Sequence, residues 1–112
     1  MKILSKEVII KQNLLEQFIK ELKIQLFLNH PNIIKLYGFF ADEINFYLLM
    51  EHGCDGHLYN FVNTKQELSE EATSIIIKQL LEATSYMHSF NTLHRDIKPE
   101  NIVMIHVAFN LI

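Results

Sequence analysis

Between Leu93 and Val103 the chain reads LHRDIKPENIV, and the rest of the sequence takes its meaning from this run. It sets six polar or charged side chains and a proline between apolar ends. Asp96 follows an apolar, strand-like segment and precedes Pro99, so a fixed loop is expected. A carboxylate in such a loop can accept a proton from an incoming hydroxyl. Lys98, two residues on, can neutralise phosphate charge. Asn101 offers a neutral oxygen to Mg²⁺, a hard cation that takes oxygen ligands. A base, a cation and a metal-binding oxygen in one loop suit phosphoryl transfer, where positioning and charge neutralisation carry most of the catalysis. A bare His-Arg-Asp run is more simply a solvated loop with the aspartate as a cap. The whole run from His94 to Asn101 reverses that preference.

The chain before this loop has a readable order. Leu15, Phe18, Leu22 and Leu26 recur at spacings of three and four, which predicts an amphipathic helix over 13–28. His30-Pro31-Asn32 ends it, because the residue before a proline is pushed out of helical geometry. Residues 33–40 and 44–50 are rich in aromatic and β-branched side chains and flank Ala41-Asp42-Glu43, so they read as two strands and a turn. EHGCDG, Glu51 to Gly56, holds two of the three glycines and reads as a hinge. A short helix is expected over 57–62. Ser69 is a natural N-cap for a second helix reaching about His88, with Glu70 and Glu71 at its positive end. Ile75, Ile76, Ile77, Leu80 and Leu81 make that helix apolar on too many sides for a surface element. Ile75, Ile76 and Leu80 are therefore expected to lack cover within this chain, an invitation to aggregation or to a partner.

Composition bounds the rest. The 112 residues allow one small domain, about half hydrophobic and one fifth charged, hence globular. The net charge of −3 is spread along the chain with no basic stripe, so nucleic acid is not an expected partner. Cys54 is the only cysteine, which excludes an internal disulfide and suits a reducing, cytoplasmic or nuclear compartment. Lys6, Glu7 and Lys11 interrupt the N-terminal apolar run, and the apolar 102–112 segment is far shorter than the about 20 residues of a membrane span. No membrane partner is expected. His52, Cys54 and His57 have a spacing that can hold zinc, but no second ligand cluster accompanies them.

The run His94-Arg95-Asp96-Ile97-Lys98-Pro99-Glu100-Asn101 resembles the catalytic loop of eukaryotic protein kinases, and the lysine two after the aspartate is the serine/threonine form. The resemblance implies an ATP- and Mg²⁺-dependent enzyme that phosphorylates a protein Ser/Thr hydroxyl. Asp96 would be the catalytic base, Lys98 the γ-phosphate contact and Asn101 the metal ligand. Arg95 would pair with a phosphorylated activation loop and His94 would pack in the regulatory spine. Other parts match in order. Glu21, ten residues before Pro31 in HPNIIKLYG, falls where the family's helix glutamate is expected, and Lys2, nineteen before Glu21, where the ATP-binding lysine is. YLLMEHG resembles the strand entering the hinge. Met50 would be the gatekeeper, and the Glu51 and Gly53 backbones would bond adenine between Leu58 and Val103. Gln25 and Leu36 sit at spine positions. The combination looks most like the Aurora and related kinases.

This resemblance implies an α+β fragment of a two-lobed fold. Residues 1–50 would be part of the N-lobe, 51–56 the hinge and 57–104 the start of the C-lobe, with 105–112 a non-matching tail. The Gly-rich loop and the Asp-Phe-Gly motif do not appear in the sequence, so the fragment alone is expected to transfer no phosphate and to aggregate. A non-catalytic kinase-derived scaffold or pseudokinase, bound to a regulatory protein, is the alternative. A small-molecule phosphotransferase of the aminoglycoside-kinase type is disfavoured by Lys98-Pro99-Glu100 and the HPNI segment.

Overall fold

The computed structural model describes residues 1–64, 67–105 and 108–112. In chain order the elements are β1 (Lys2–Ser5), α1 (Lys6–Lys11), α2 (Leu15–Phe27), β2 (Leu36–Ala41), β3 (Asn45–Met50), α3 (Leu58–Asn63), α4 (Glu70–Ser89), a 3-10 turn (Pro99–Asn101), β4 (Ile102–Ile105) and β5 (Ala108–Leu111). They form two compact units, one of Met1–Asn29 with Lys35–Glu51 and one of His30–Ile34 with His52–Ile112. The α+β class expected from the sequence is what the chain adopts. Among the described residues no helix is long and apolar enough to cross a membrane.

In the first unit β3 is the central strand of an antiparallel sheet ordered β1-β3-β2. Leu48 sits at its centre, opposite Lys2 on one side and Phe39 on the other. Helix α2 lays its three-and-four-spaced stripe on this sheet. Leu22 closes a core with Leu36 and Leu48, and Leu4, Phe18, Leu26 and Met50 pack around it. The helix stops at Phe27, ahead of the predicted Pro31 break, because Leu28 is already extended at ψ 134°. The Lys35 ammonium donates to the freed Leu28 carbonyl at 2.9 Å, which suits a cation at the negative end of a helix. The turn between β2 and β3 is closed by Asp42. Its Oδ1 accepts from the Ile44 and Asn45 amides at 2.8 and 2.6 Å, and its Oδ2 from the Tyr47 hydroxyl at 2.7 Å. Those bonds, Tyr47 first, hold the Asp42 carboxyl below the usual carboxylate range.

Helix α1 was not legible in advance. Its residues, KEVIIK, carry no helical stripe, and none of them is buried. What holds it is the Lys6 amide on the Ile44 carbonyl at 2.9 Å, the Glu7–Lys11 ion pair at 2.5 Å and a reversal at Asn13, whose φ of 55° a short polar side chain tolerates.

In the second unit α4 begins where expected. The Ser69 hydroxyl accepts from the Ala72 amide at 3.1 Å, and Glu70 and Glu71 occupy the first turn. The hairpin of β4 and β5 pairs Ile102 with Leu111 and Val103 with Asn110. The edge of β5 is covered by His30–Ile34: the Ile34 amide donates to the Leu111 carbonyl and the Leu111 amide to the Asn32 carbonyl, both at 2.9 Å. Half of the residues read as an apolar tail are thus a paired strand, and Leu111 is 1 % exposed. His106 and Val107 of that tail lie outside the described residues.

The apolar triplet of α4 corrects one expectation. Ile76 is buried at 4 %, together with Ala83 and Met87 seven and eleven residues on, so the chain does cover this stripe. Ile75 and Ile77 flank it at 49 % and 50 % exposed, and Leu81 is exposed too. Three consecutive residues on a helix point about 100° apart, so the three cannot share one buried face. Ile76→Ala is therefore expected to cost about 2–5 kcal/mol. Ile77→Ala should cost under about 1 kcal/mol. Urea unfolding of the two variants measures the difference, and equal losses would mean that the stripe has been assigned to the wrong face.

Candidate functional site

The polar loop is reached through the end of α4. The Asn91 amide bonds to the His88 carbonyl and the Thr92 amide to the Met87 carbonyl, which reverses the chain. Residues 92–96 are irregular and Leu93 is exposed, so the segment before Asp96 is no strand, contrary to its apolar look. His94 shapes the turn into Asp96. Its Nδ1 accepts from the Asp96 amide at 3.2 Å, so that nitrogen carries no proton. Its Nε2 therefore donates to the Ile112 carbonyl at 2.6 Å and ties the loop to the end of β5. Between them Arg95 is held at φ 65°, a left-handed conformation that costs a residue with a Cβ about 1–2 kcal/mol. The His94–Asp96 bond closes over it.

Asp96 is exposed yet held from two sides. Its Oδ2 accepts from Lys98 Nζ at 2.9 Å and from Asn101 Nδ2 at 2.8 Å. The same Asn101 amide also donates to the Asp96 backbone carbonyl at 2.9 Å. Lys98 first, then Asn101, hold the Asp96 carboxyl below the usual carboxylate range, and Asp96 in turn raises Lys98. The 3-10 turn puts Asn101 in reach. Pro99 opens it with a preset φ, the Asn101 amide bonds to the Lys98 carbonyl at 2.9 Å, and the Asn101 carbonyl receives the Ile112 amide at 3.0 Å. Among the described residues no donor reaches Asn101 Oδ1 or Asp96 Oδ1. Two oxygens, one of them on an ionised carboxylate, are thus left to meet a ligand.

A second group of expected residues gathers at the start of β4. Gly53 lies so close to Val103 that a Cβ on it would stand 2.9 Å from the Val103 Cβ. Leu58 and Val103 are both buried, and His57 bridges Val103 through its backbone. The His57 ring reaches this loop although nothing in the sequence near Glu100 points to it. Its Nδ1 donates to the Glu100 carbonyl at 2.8 Å, across 43 residues of chain. A contact at that separation leaves no local pattern to read. No group of three His, Cys, Asp or Glu able to hold a metal occurs among the described residues, so His52, Cys54 and His57 do not converge as a zinc site would.

The remaining expected residues lie in the first unit. Met50 packs against the Leu22, Leu36 and Leu48 core. The Glu51 amide donates to the Lys35 carbonyl at 2.8 Å, which leaves its carbonyl rather than its N–H to meet a ligand, while its Oε2 accepts from the Lys35 amide at 3.2 Å. Lys2 and Glu21 are both exposed and are not joined by an ion pair. Glu21 instead accepts from Gln17 Nε2 at 2.9 Å, one turn back on its own helix. Two solvated charges gain too little from pairing to hold two long side chains in one geometry.

Among known proteins, the profile of the protein kinase domain matches residues 1–111, past Met104, where the sequence motifs end. The chain is 46 % identical over 110 residues to an Aurora kinase of Saccharomyces cerevisiae, covering 98 % of this chain and 29 % of that protein. It is 40 % identical over 104 residues to an Aurora kinase of Schizosaccharomyces pombe, covering 93 % and 29 %. It is 39 % identical over 104 residues to Aurora kinase C of Mus musculus, covering 93 % and 38 %. The chain thus spans about a third of the length of the curated relatives it matches.

The loop's electrostatics predict its pH range. A lowered Asp96 stabilises the folded loop above its unfolded pKa, and that contribution is lost as the pH falls through its folded value. A raised Lys98 contributes below its unfolded value and loses its contribution as the pH rises through its folded one. The pair should therefore persist from below the usual carboxylate range to above the usual lysine range. Carbon-13 NMR of the Asp96 carboxyl is expected to titrate below the ordinary carboxylate range and to move up in Lys98→Ala. An unmoved midpoint would show that Lys98 does not hold it.

Proposed function

Because the chain belongs to the protein kinase domain family, we propose that it contributes the catalytic loop of a serine/threonine protein kinase, which moves the γ-phosphate of ATP to a hydroxyl of a protein. The observation that carries this reading is the ionised Asp96 carboxylate, held by Lys98 and Asn101 with its other oxygen open. In phosphoryl transfer the loop has little covalent chemistry to do, and fixed positions and neutralised charge supply most of the rate. Asp96 Oδ1 orients the substrate hydroxyl and takes its proton as the oxygen bonds to the γ-phosphorus and the bond to the ADP oxygen breaks. Lys98 lies beside that oxygen's partner and faces the charge of the transferred phosphoryl group.

Mg²⁺, when bound, neutralises phosphate charge. Asn101 Oδ1 suits it, being a hard neutral oxygen without a protein donor beside an ionised carboxylate. Lys2 is proposed to contact the phosphates in the nucleotide-bound state, with Glu21 pairing its ammonium there. The Glu51 carbonyl and Gly53 amide would bond adenine, and Met50, Leu58 and Val103 would line its faces. The partners proposed are a protein carrying Ser or Thr and a regulatory protein, in the cytoplasm or nucleus.

The test is transfer of labelled γ-phosphate from Mg·ATP to a Ser/Thr peptide library by the full-length protein. Asp96→Asn is expected to lower the rate by about 10²–10⁴-fold, the usual share of a general base. The Michaelis constant for ATP should hardly move. Undiminished transfer by Asp96→Asn would sink the assignment. Nucleotide binding with no transfer by the unaltered protein would instead favour the scaffold reading.

A further inference from the structure

His57 is the residue before α3, where a side chain is commonly spent on the first free amides of the helix. Here it makes no such bond. Its Nδ1 meets the Glu100 carbonyl at 2.8 Å, and a carbonyl only accepts, so Nδ1 carries the proton. The His57 backbone also forms an antiparallel bridge with Val103. One residue is thus tied to the chain on both sides of Asn101 and Ile102.

We infer that His57 is a positioning residue for Asn101, acting through the Glu100–Asn101 peptide. A peptide unit is planar, so fixing the Glu100 oxygen fixes the plane that also contains the Asn101 nitrogen and Cα. Pro99 presets the conformation at the start of the same turn. Together with the Asn101 amide bond to the Lys98 carbonyl, these restraints set the Asn101 side chain where its Nδ2 reaches both the Asp96 carbonyl and its Oδ2, and that leaves Oδ1 without a donor. Without the imidazole the Glu100 carbonyl turns to water, the peptide plane gains freedom, and the Asn101 amide spends part of its time off Asp96. The metal-binding part of this inference rests on the proposed kinase reading, while the positioning part does not.

The experiment follows the Asn101 side-chain amide by nitrogen-15 NMR in the full chain, together with the Mg²⁺ dependence of ATP binding. His57→Leu is expected to speed solvent exchange of that amide about threefold to tenfold, the weight of one ordinary hydrogen bond. The Mg²⁺ concentration for half-maximal binding should rise by a similar factor. His57→Asn can place its own amide near the position of Nδ1 and should stay within about twofold of the parent. Exchange in His57→Leu equal to the parent, or His57→Asn as impaired as His57→Leu, overturns the inference. If the parent chain binds no Mg·ATP while His57→Leu still loosens Asn101, the positioning role stands and the kinase reading falls.

Discussion

An exposed carboxylate keeps one orientation only when several donors hold it at once. Asp96 has two on a single oxygen, Lys98 Nζ and Asn101 Nδ2, and the second also grips its backbone carbonyl. The second donor is not placed by the loop alone. Asn101 stands at the junction of the 3-10 turn and β4, and its carbonyl is fixed by Ile112 at the end of the partner strand. His94 spans the same two places, from the Asp96 amide to the Ile112 carbonyl. The polar loop is thus tied at two points to the end of the β4–β5 hairpin. The strain at Arg95 is tolerated because both ends of the reversal are held.

The hairpin in turn depends on what covers it. Ile102 and Leu111 pair across it, and α4 offers Ile76, Ala83 and Met87 as a buried stripe within the same unit. The free edge of β5 would otherwise expose a row of unpaired amides and carbonyls. His30–Ile34 takes that edge, though it lies in the chain among residues of the other unit. A segment that reads as a mere helix stop therefore has a second task, and Asn32 and Ile34 perform it with backbone groups that no side-chain pattern reveals.

Legibility followed the range of the interactions. The Ser69 cap, the stripe on α2 and the turn at Asp42 are local, and their side chains announce them within four residues. The loop's chemistry was legible because Asp96, Lys98 and Asn101 lie within six positions. Strand β5 was not, since AFNL shows no alternation of polar and apolar residues and becomes a strand only beside β4 and Ile33. Helix α1 is illegible for the opposite reason: none of its residues is fully buried, so it leaves no periodic mark.

The order of residues was enough to establish the chemical inventory: a carboxylate, a cation and an amide in one short loop, an α+β class, and the family to which the chain belongs. Spacing and residue type carry that information because these groups lie within six positions of one another. Which atoms are already spent was settled only by packing in three dimensions. It gave one Asp96 oxygen to Lys98 and Asn101 and left the other open, turned only Ile76 of three isoleucines inward, and set the His57 imidazole on Glu100. Those outcomes depend on which distant segments meet, and a contact between residues 43 apart has no local spacing from which it can be inferred.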